Sequence, residues 1–233
     1  AVDEPGRHYG SRIVFLEDGT LLMTVGDRGH NPERGQEIGD HAGTVLRLNA
    51  DGSIPADNPG GGLRPEVWAA GVRNIQSIAW HPLRREVWAV DHGPRGSDKV
   101  QIIEAGNNYG WPAATPGREY ETQEPFAEQR ESDEFASPVL ELVVTIAPSG
   151  MAVVQGGGWD TTWQGNLLVG GLRAERILRL VVEDREVVHA EELLLGRIGR
   201  IRDVRQGPDG HVYIVTDEEN GGLYRIEARG EGG

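Results

Sequence analysis

Short apolar runs alternate with polar, glycine-containing turns along the whole chain, and the same plan recurs four times. Each unit reads as a strand, a tight turn, a second strand, a polar loop and a third strand. The first unit runs Ser11 to Phe15, Leu21 to Val25 and Thr44 to Leu48, with Asp18-Gly19 at its turn. The second runs Gln76 to Trp80, Glu86 to Val90 and Val100 to Ile103, turning near Arg84-Arg85. The third runs Gly150 to Val154, Leu167 to Val169 and Ile177 to Leu180, turning at Gln164-Gly165. The fourth runs Ile201 to Val204, Val212 to Val215 and Leu223 to Ile226, turning at Asp209-Gly210. Asp-Gly between apolar runs is a strong hairpin signal, because both residues tolerate the positive φ that such turns need.

A fourth strand follows three of the units: Glu66 to Ala69, Val139 to Val143 and Val187 to Glu191. Repeated four-stranded units of this size predict an all-β fold of the β-propeller type. Helical periodicity is thin. The segment 113–137 is polar, acidic and aperiodic, and is expected to be an excursion loop. With no Pro- or Ser-rich linker, the expectation is a single propeller domain over residues 1–233. Only the tail Ala228 to Gly233 follows the fourth unit. The four units either close on themselves or form part of a larger ring.

Composition narrows the function classes. Acidic residues outnumber basic ones 37 to 23, a formal net charge of -14. Such a balance argues against a nucleic acid or an anionic membrane as partner, since both reward clustered Lys and Arg. No apolar run approaches the length that a membrane-spanning helix needs, so no membrane insertion is expected. The absence of Cys removes disulfides, thiolate metal sites and a Cys nucleophile. The 34 Gly and 13 Pro suit a fold rich in tight turns.

Six polar clusters fall at strand starts and in the loops between them. They are His8-Tyr-Gly-Ser-Arg12, Gly71-Val-Arg-Asn-Ile-Gln76, Asp91-His-Gly-Pro-Arg-Gly-Ser-Asp98, Thr145-Ile-Ala-Pro-Ser-Gly150, Gly171-Leu172-Arg173 and Arg200-Ile-Arg-Asp203. With Asn107-Asn-Tyr-Gly-Trp-Pro112, they resemble, in order along the chain, the soluble quinoprotein sugar dehydrogenases. That family comprises glucose/sorbosone and aldose dehydrogenases that use pyrroloquinoline quinone (PQQ).

The resemblance implies a six-bladed propeller, about four blades of it present here and the N-terminal ones lacking, with PQQ and Ca²⁺ as cofactors. It implies oxidation of the C1 hydroxyl of an aldose to a lactone by hydride transfer to the quinone, with electrons passed to an external acceptor. It also implies a periplasmic or secreted location. His8 falls on the family's catalytic base, a role suited to an imidazole that titrates near neutrality. Arg73, Arg173, Arg200 and Arg202 fall on cofactor positions, with Asn74 and Thr145 beside them, and Arg73 would also stabilise charge developing on the quinone. Guanidinium forks suit the three PQQ carboxylates.

The carbonyls of Gly93 and Pro94 match two of the family's Ca²⁺ ligands. Asp98 fits an acidic position, while the next, usually acidic, is Lys99. Gln36 stands near the spacing of a substrate-facing Gln. Around 138–144, where the family is richer in aromatics, this chain has Val143 and Val144.

Each residue also has a plainer reading: the arginines as local ion pairs, such as Arg202 with Asp203, Gly93-Pro94 as an ordinary turn, and Trp68, Trp80, Trp88 and Trp111 as packing residues. Two rival functions stay open: a non-catalytic binding propeller on the same scaffold, and a Ca²⁺-dependent lactonase-type propeller with carboxylates converging on the metal.

Overall fold

The computed structural model describes residues 6–37 and 39–227; the tail Ala228 to Gly233 lies outside the described residues. The fold is all-β. Its strands form four antiparallel sheets, each an up-and-down meander in chain order. Sheet one holds β1 (Gly10–Phe15), β2 (Leu21–Val25), β3 (Thr44–Leu48) and β4 (Val67–Ala70). Sheet two holds β5 (Ile75–His81), β6 (Glu86–Asp91), β7 (Asp98–Ile102) and β8 (Leu140–Leu142). Sheet three holds β9 (Pro148–Val153), β10 (Leu167–Gly171), β11 (Arg176–Glu183) and β12 (Glu186–Leu193). Sheet four holds β13 (Ile201–Gln206), β14 (Val212–Thr216) and β15 (Leu223–Ile226).

The turns that join the strands behave as their sequence requires. Gly19 has φ +82° and donates to the Leu16 carbonyl at 3.1 Å, closing the hairpin between β1 and β2. The Asp18 carboxylate accepts from the Thr20 hydroxyl at 2.6 Å and from Arg47 Nη2 at 2.8 Å, which ties the turn to β3. Segment 113–137 holds no regular strand or helix. It is pinned by backbone bonds such as Thr115 N–H to Gln129 O at 3.0 Å and Phe126 N–H to Gly117 O at 2.9 Å.

The chain divides into two compact units. One comprises residues up to Trp80 with Glu86–Val144, the other His81–Arg85 with Thr145 onward. Each has its own apolar core. In the first, Leu22, Val45, Ala69, Ile75, Ile78 and Val87 pack together from both sheets. In the second, Ala152, Leu168, Ile177, Ile201, Val212 and Ile214 do the same. Each fully buried branched side chain contributes about 1.5–3 kcal/mol over leaving it exposed.

Within each unit a side-chain hydroxyl of one sheet bonds to the backbone of the other. Thr24 on β2 donates its hydroxyl to the Ile75 carbonyl on β5 at 3.0 Å. Ser149 on β9 donates to Ile201 O on β13 at 2.6 Å. These contacts set the polar ends of the strands, where the candidate site residues cluster.

Candidate functional site

In the first unit, a buried carboxylate organises the cluster. Asp27 stands in the connection that follows β2 and is 1% exposed. Its Oδ1 lies 2.6 Å from His8 Nδ1 and accepts from the Gly29 N–H at 2.8 Å; its Oδ2 accepts from Trp111 Nε1 at 2.8 Å. A carboxylate beside Nδ1 holds the proton there, so the basic lone pair of a neutral His8 sits on Nε2. That nitrogen has no protein partner among the described residues. Burial lowers the His8 pKa, and the Arg73 charge adds to it, while the bond to Asp27 opposes both. His8 is therefore a neutral imidazole at pH 7.

His8 has φ +62°, in the left-handed region that costs a non-glycine residue energy. Gly26 makes this possible: a Cβ there would lie 1.9 Å from the His8 carbonyl oxygen. No other residue permits that approach.

Arg73 and Asn74 follow β4 and lead into β5. Their backbone N–H groups both donate to Asp91 at the end of β6, at 2.8 and 2.6 Å. Burial pushes the Asp91 carboxyl up to about 6, against the pull of those two N–H bonds and of the Arg73 charge. The Arg73 carbonyl accepts from the Asp27 N–H at 2.9 Å, which joins the two acidic anchors. Its Nη1 donates to His92 O at 2.9 Å, and the guanidinium carbon lies 5.2 Å from the Trp111 ring centroid. Asn74 Oδ1 accepts from the Gly10 N–H at 3.1 Å, which brings the His8 segment against residue 74. Arg73 Nη2 and Asn74 Nδ2 have no protein partner among the described residues. Arg73 Nε is likewise unpartnered, so donors on both residues and one imidazole base remain unspent on the protein.

The Gly93-Pro94 turn is held by Asp98, whose Oδ1 accepts from the Gly93 N–H at 3.1 Å. A Cβ on Gly93 would lie 2.0 Å from Ser97 O, so the loop closes only with glycine. The Pro94 carbonyl accepts from Ser97 N–H and Oγ–H, both at 3.2 Å. These are long bonds on a hard oxygen donor. Lys99, on β7, is pushed below its usual pKa by burial, with Asp91 and Glu141 opposing.

Gln36 forms a reciprocal amide pair with Asn108, at 3.1 and 2.7 Å, and donates to Trp111 O at 2.7 Å. Both its N–H bonds are taken, and one carbonyl lone pair is left. Val143 and Val144 are exposed.

In the second unit, Arg200 and Arg202 share the carboxylate of Asp217. Arg202 Nη2 lies 2.9 Å and Arg200 Nη2 3.1 Å from its Oδ2. The bond from Arg202, then that from Arg200, holds Asp217 below the usual carboxylate range. Asp203, the acid adjacent to Arg202, takes Arg205 at 3.3 Å. Arg173 is exposed, and its side chain has no protein partner among the described residues. Its N–H donates to Ile146 O at 3.2 Å, which sets it beside Thr145. The Arg200 N–H also donates to Glu218 Oε1 at 2.8 Å, so this cluster sets guanidinium groups beside more than one carboxylate.

Reasoning from sequence missed four residues. Asp27 and Asp217 stand in loops among many other acids, Asn108 passed as part of a family string, and Trp111 passed as a packing residue. Trp111 is buried, and it also donates to Asp27 and underlies Arg73.

Comparison with known proteins completes the picture. The chain is 36% identical to the aldose sugar dehydrogenase YliI of Escherichia coli (strain K12) over 228 residues, covering 96% of this chain and 61% of that protein. A crystal structure of a glucose dehydrogenase superposes with a TM-score of 0.91 at 38% identity, covering 96% of this chain and 65% of that one. The PQQ-bound aldose sugar dehydrogenase of Streptomyces coelicolor superposes with a TM-score of 0.77 at 27% identity, covering 94% of this chain and 60% of that one. The chain thus spans less than two thirds of each of these proteins. The glucose/sorbosone dehydrogenase family model matches residues 1–225, and the chain belongs to that family.

Proposed function

We propose that this chain carries the catalytic site of a PQQ- and Ca²⁺-dependent dehydrogenase, which oxidises the C1 hydroxyl of an aldose to a lactone and passes the electrons to an external acceptor. The single observation that carries the reading is the Asp27–His8 pair beside an Arg73 with an unspent donor. The names of the relatives support it.

Arg73 and Asn74 would hold PQQ through donors suited to its carboxylates, and Arg173, Arg200 and Arg202, with Thr145, are the second unit's candidates for the same role. The carbonyls of Gly93 and Pro94 would hold Ca²⁺, a cation that takes oxygen donors, with Ser97 giving up its long bonds to Pro94. When bound, PQQ supplies a hydride-accepting carbonyl and Ca²⁺ polarises it.

The protein's own part is positioning and proton transfer. His8 Nε2 accepts the proton of the anomeric hydroxyl, and Asp27 fixes the tautomer that makes Nε2 the base. The imidazolium that forms is stabilised by the same carboxylate. Arg73, with its guanidinium carbon over the Trp111 ring, would present positive charge where negative charge develops. Gln36 can accept one hydrogen bond from a sugar hydroxyl through its remaining lone pair.

The four sheets are read as four blades of a six-bladed ring in one propeller domain. Exposed apolar side chains on β1 (Ile13 and Phe15) and on β15 (Leu223) support that reading, because such faces normally lie against a neighbouring sheet. A periplasmic or secreted location goes with it. The lactonase alternative needs side-chain carboxylates converging on a metal; among the described residues no group of three or more His, Asp or Glu is so placed.

The test is a PQQ titration with and without Ca²⁺, followed by aldose and an artificial electron acceptor. Ca²⁺-dependent binding with turnover is expected. A folded protein that binds no PQQ would sink the proposal and favour a binding propeller.

A further inference from the structure

Two short stretches that meet at His8 carry a concentration of left-handed backbone. His8, Gly10 and Ser11 have φ of +62°, +64° and +66°; Arg28 and Gly29, opposite them, have +68° and +74°. Among the described residues nine non-glycine positions have positive φ, and three of the nine lie in these two stretches. Such conformations cost a residue with a side chain energy, and they persist only where surrounding contacts hold them. Gly26 leaves room for the His8 carbonyl, but room alone does not hold it.

Arg28 supplies the hold. The His8 carbonyl accepts from the Arg28 N–H at 3.4 Å and from its Nη1 at 3.3 Å. The same Nη1 donates to Tyr9 O at 3.2 Å, which also accepts from the Ser11 hydroxyl at 3.1 Å. The guanidinium carbon lies 4.9 Å from the Tyr9 ring centroid, within cation–π range. One side chain thus holds two successive carbonyls and a ring face. In a chain with 37 acidic residues, it has no carboxylate partner among the described residues. An arginine that serves only as surface charge needs none of these contacts.

Asp27 and Arg28 are neighbours in sequence and hold opposite ends of one residue. Asp27 takes the ring through Nδ1, and Arg28 takes the backbone through its carbonyl. Both ends matter, because rotation of the His8 backbone would carry the ring away from Asp27. A lysine would bring the charge without the planar fork.

We propose that Arg28 is a positioning residue, which clamps the His8 backbone in its left-handed conformation and so keeps the imidazole on Asp27. It acts through His8 rather than on the substrate. Its bearing on catalysis rests on the proposed function; the clamp itself does not.

The test compares the wild-type chain with Arg28→Gly and Arg28→Lys. The glycine variant removes the side chain and also relieves the left-handed backbone at position 28, so a folding defect is not built into it. The readout is the NMR signal of the His8 Nδ1–H proton, which the bond to Asp27 shifts downfield. Its exchange with solvent should be about tenfold faster in Arg28→Gly, while the unfolding midpoint stays near wild type. Tyr9 is half-exposed, so free guanidinium can reach the vacated place. Guanidinium chloride, well below unfolding concentrations, should restore the slow exchange in Arg28→Gly and leave the wild type unchanged. Unchanged exchange in Arg28→Gly, or a loss that guanidinium does not repair, would overturn the clamp. Arg28→Lys carries the test if the glycine variant does not fold. It should also exchange faster, and wild-type exchange there would show that charge alone suffices and overturn the role given to the fork. With PQQ bound, Arg28→Gly should lower kcat about tenfold with KM near wild type. Unchanged kcat beside a lost Nδ1–H signal would overturn the positioning role. A wild type without turnover would count against the proposed function alone, since exchange and guanidinium rescue decide the clamp.

Discussion

The two polar clusters solve the problem of holding arginine in opposite ways. In the first unit Arg73 is buried, and its charge is answered by the Trp111 ring, the His92 carbonyl and the buried acid Asp91. In the second unit Arg200 and Arg202 are about two-fifths exposed and share one carboxylate, itself 36% exposed. Exposed pairs contribute about 0–1 kcal/mol, whereas breaking a buried charged network costs several kcal/mol. The first cluster is therefore built to fix geometry, and the second to offer charge. A base and its orienting acid belong where geometry is fixed.

The sharpest way to break this comparison is at His8. His8→Gln should lower kcat by about 10²–10⁴-fold while PQQ binding and the unfolding midpoint stay near wild type. Near-normal turnover would remove His8 from its role. Asp91→Ala should cost about 2–4 kcal/mol in urea unfolding, because the Arg73 and Asn74 N–H groups lose their buried acceptor. A change below 1 kcal/mol would show that water replaces the carboxylate readily.

Arg202→Ala probes the other side. It should change stability by less than about 1 kcal/mol, yet weaken PQQ binding about tenfold through the loss of a charge-assisted donor. A large stability loss with unchanged affinity would return that arginine to structural duty.

The smallest effect is in pH. His8 has a folded pKa below its ordinary 6.5. The unfolded chain then binds more protons just below that pH, so the stability due to neutral His8 is present above it and is lost as pH falls from about 6.5 through the folded value. His8→Gln should flatten that part of the stability–pH curve. The acid limb of kcat/KM in the wild type should likewise lie below 6.5.

Much of the fold was legible in the chain. β2, β3 and β15 have the predicted bounds, because alternation and Gly turns act locally. β11 runs to Glu183, beyond the predicted Leu180, since β12 pairs with it along that length. The site was legible only in part. His8, Arg73, Asn74 and the arginines of the second unit stand in recognisable strings. Asp27 and Asp217 do not, and nothing local distinguishes them among 37 acidic residues.

What the sequence determined by itself is therefore the set of strands, their turns and the residue types available for chemistry, since period-two alternation and glycine φ preferences depend only on near neighbours. What only the tertiary structure decided is which of those residues meet. Asp27 reaches His8 across 19 positions, and Trp111 reaches Asp27 across 84. Such pairings depend on how the strands are stacked and on burial that makes a carboxylate seek its donors. No pattern of neighbours along the chain encodes them.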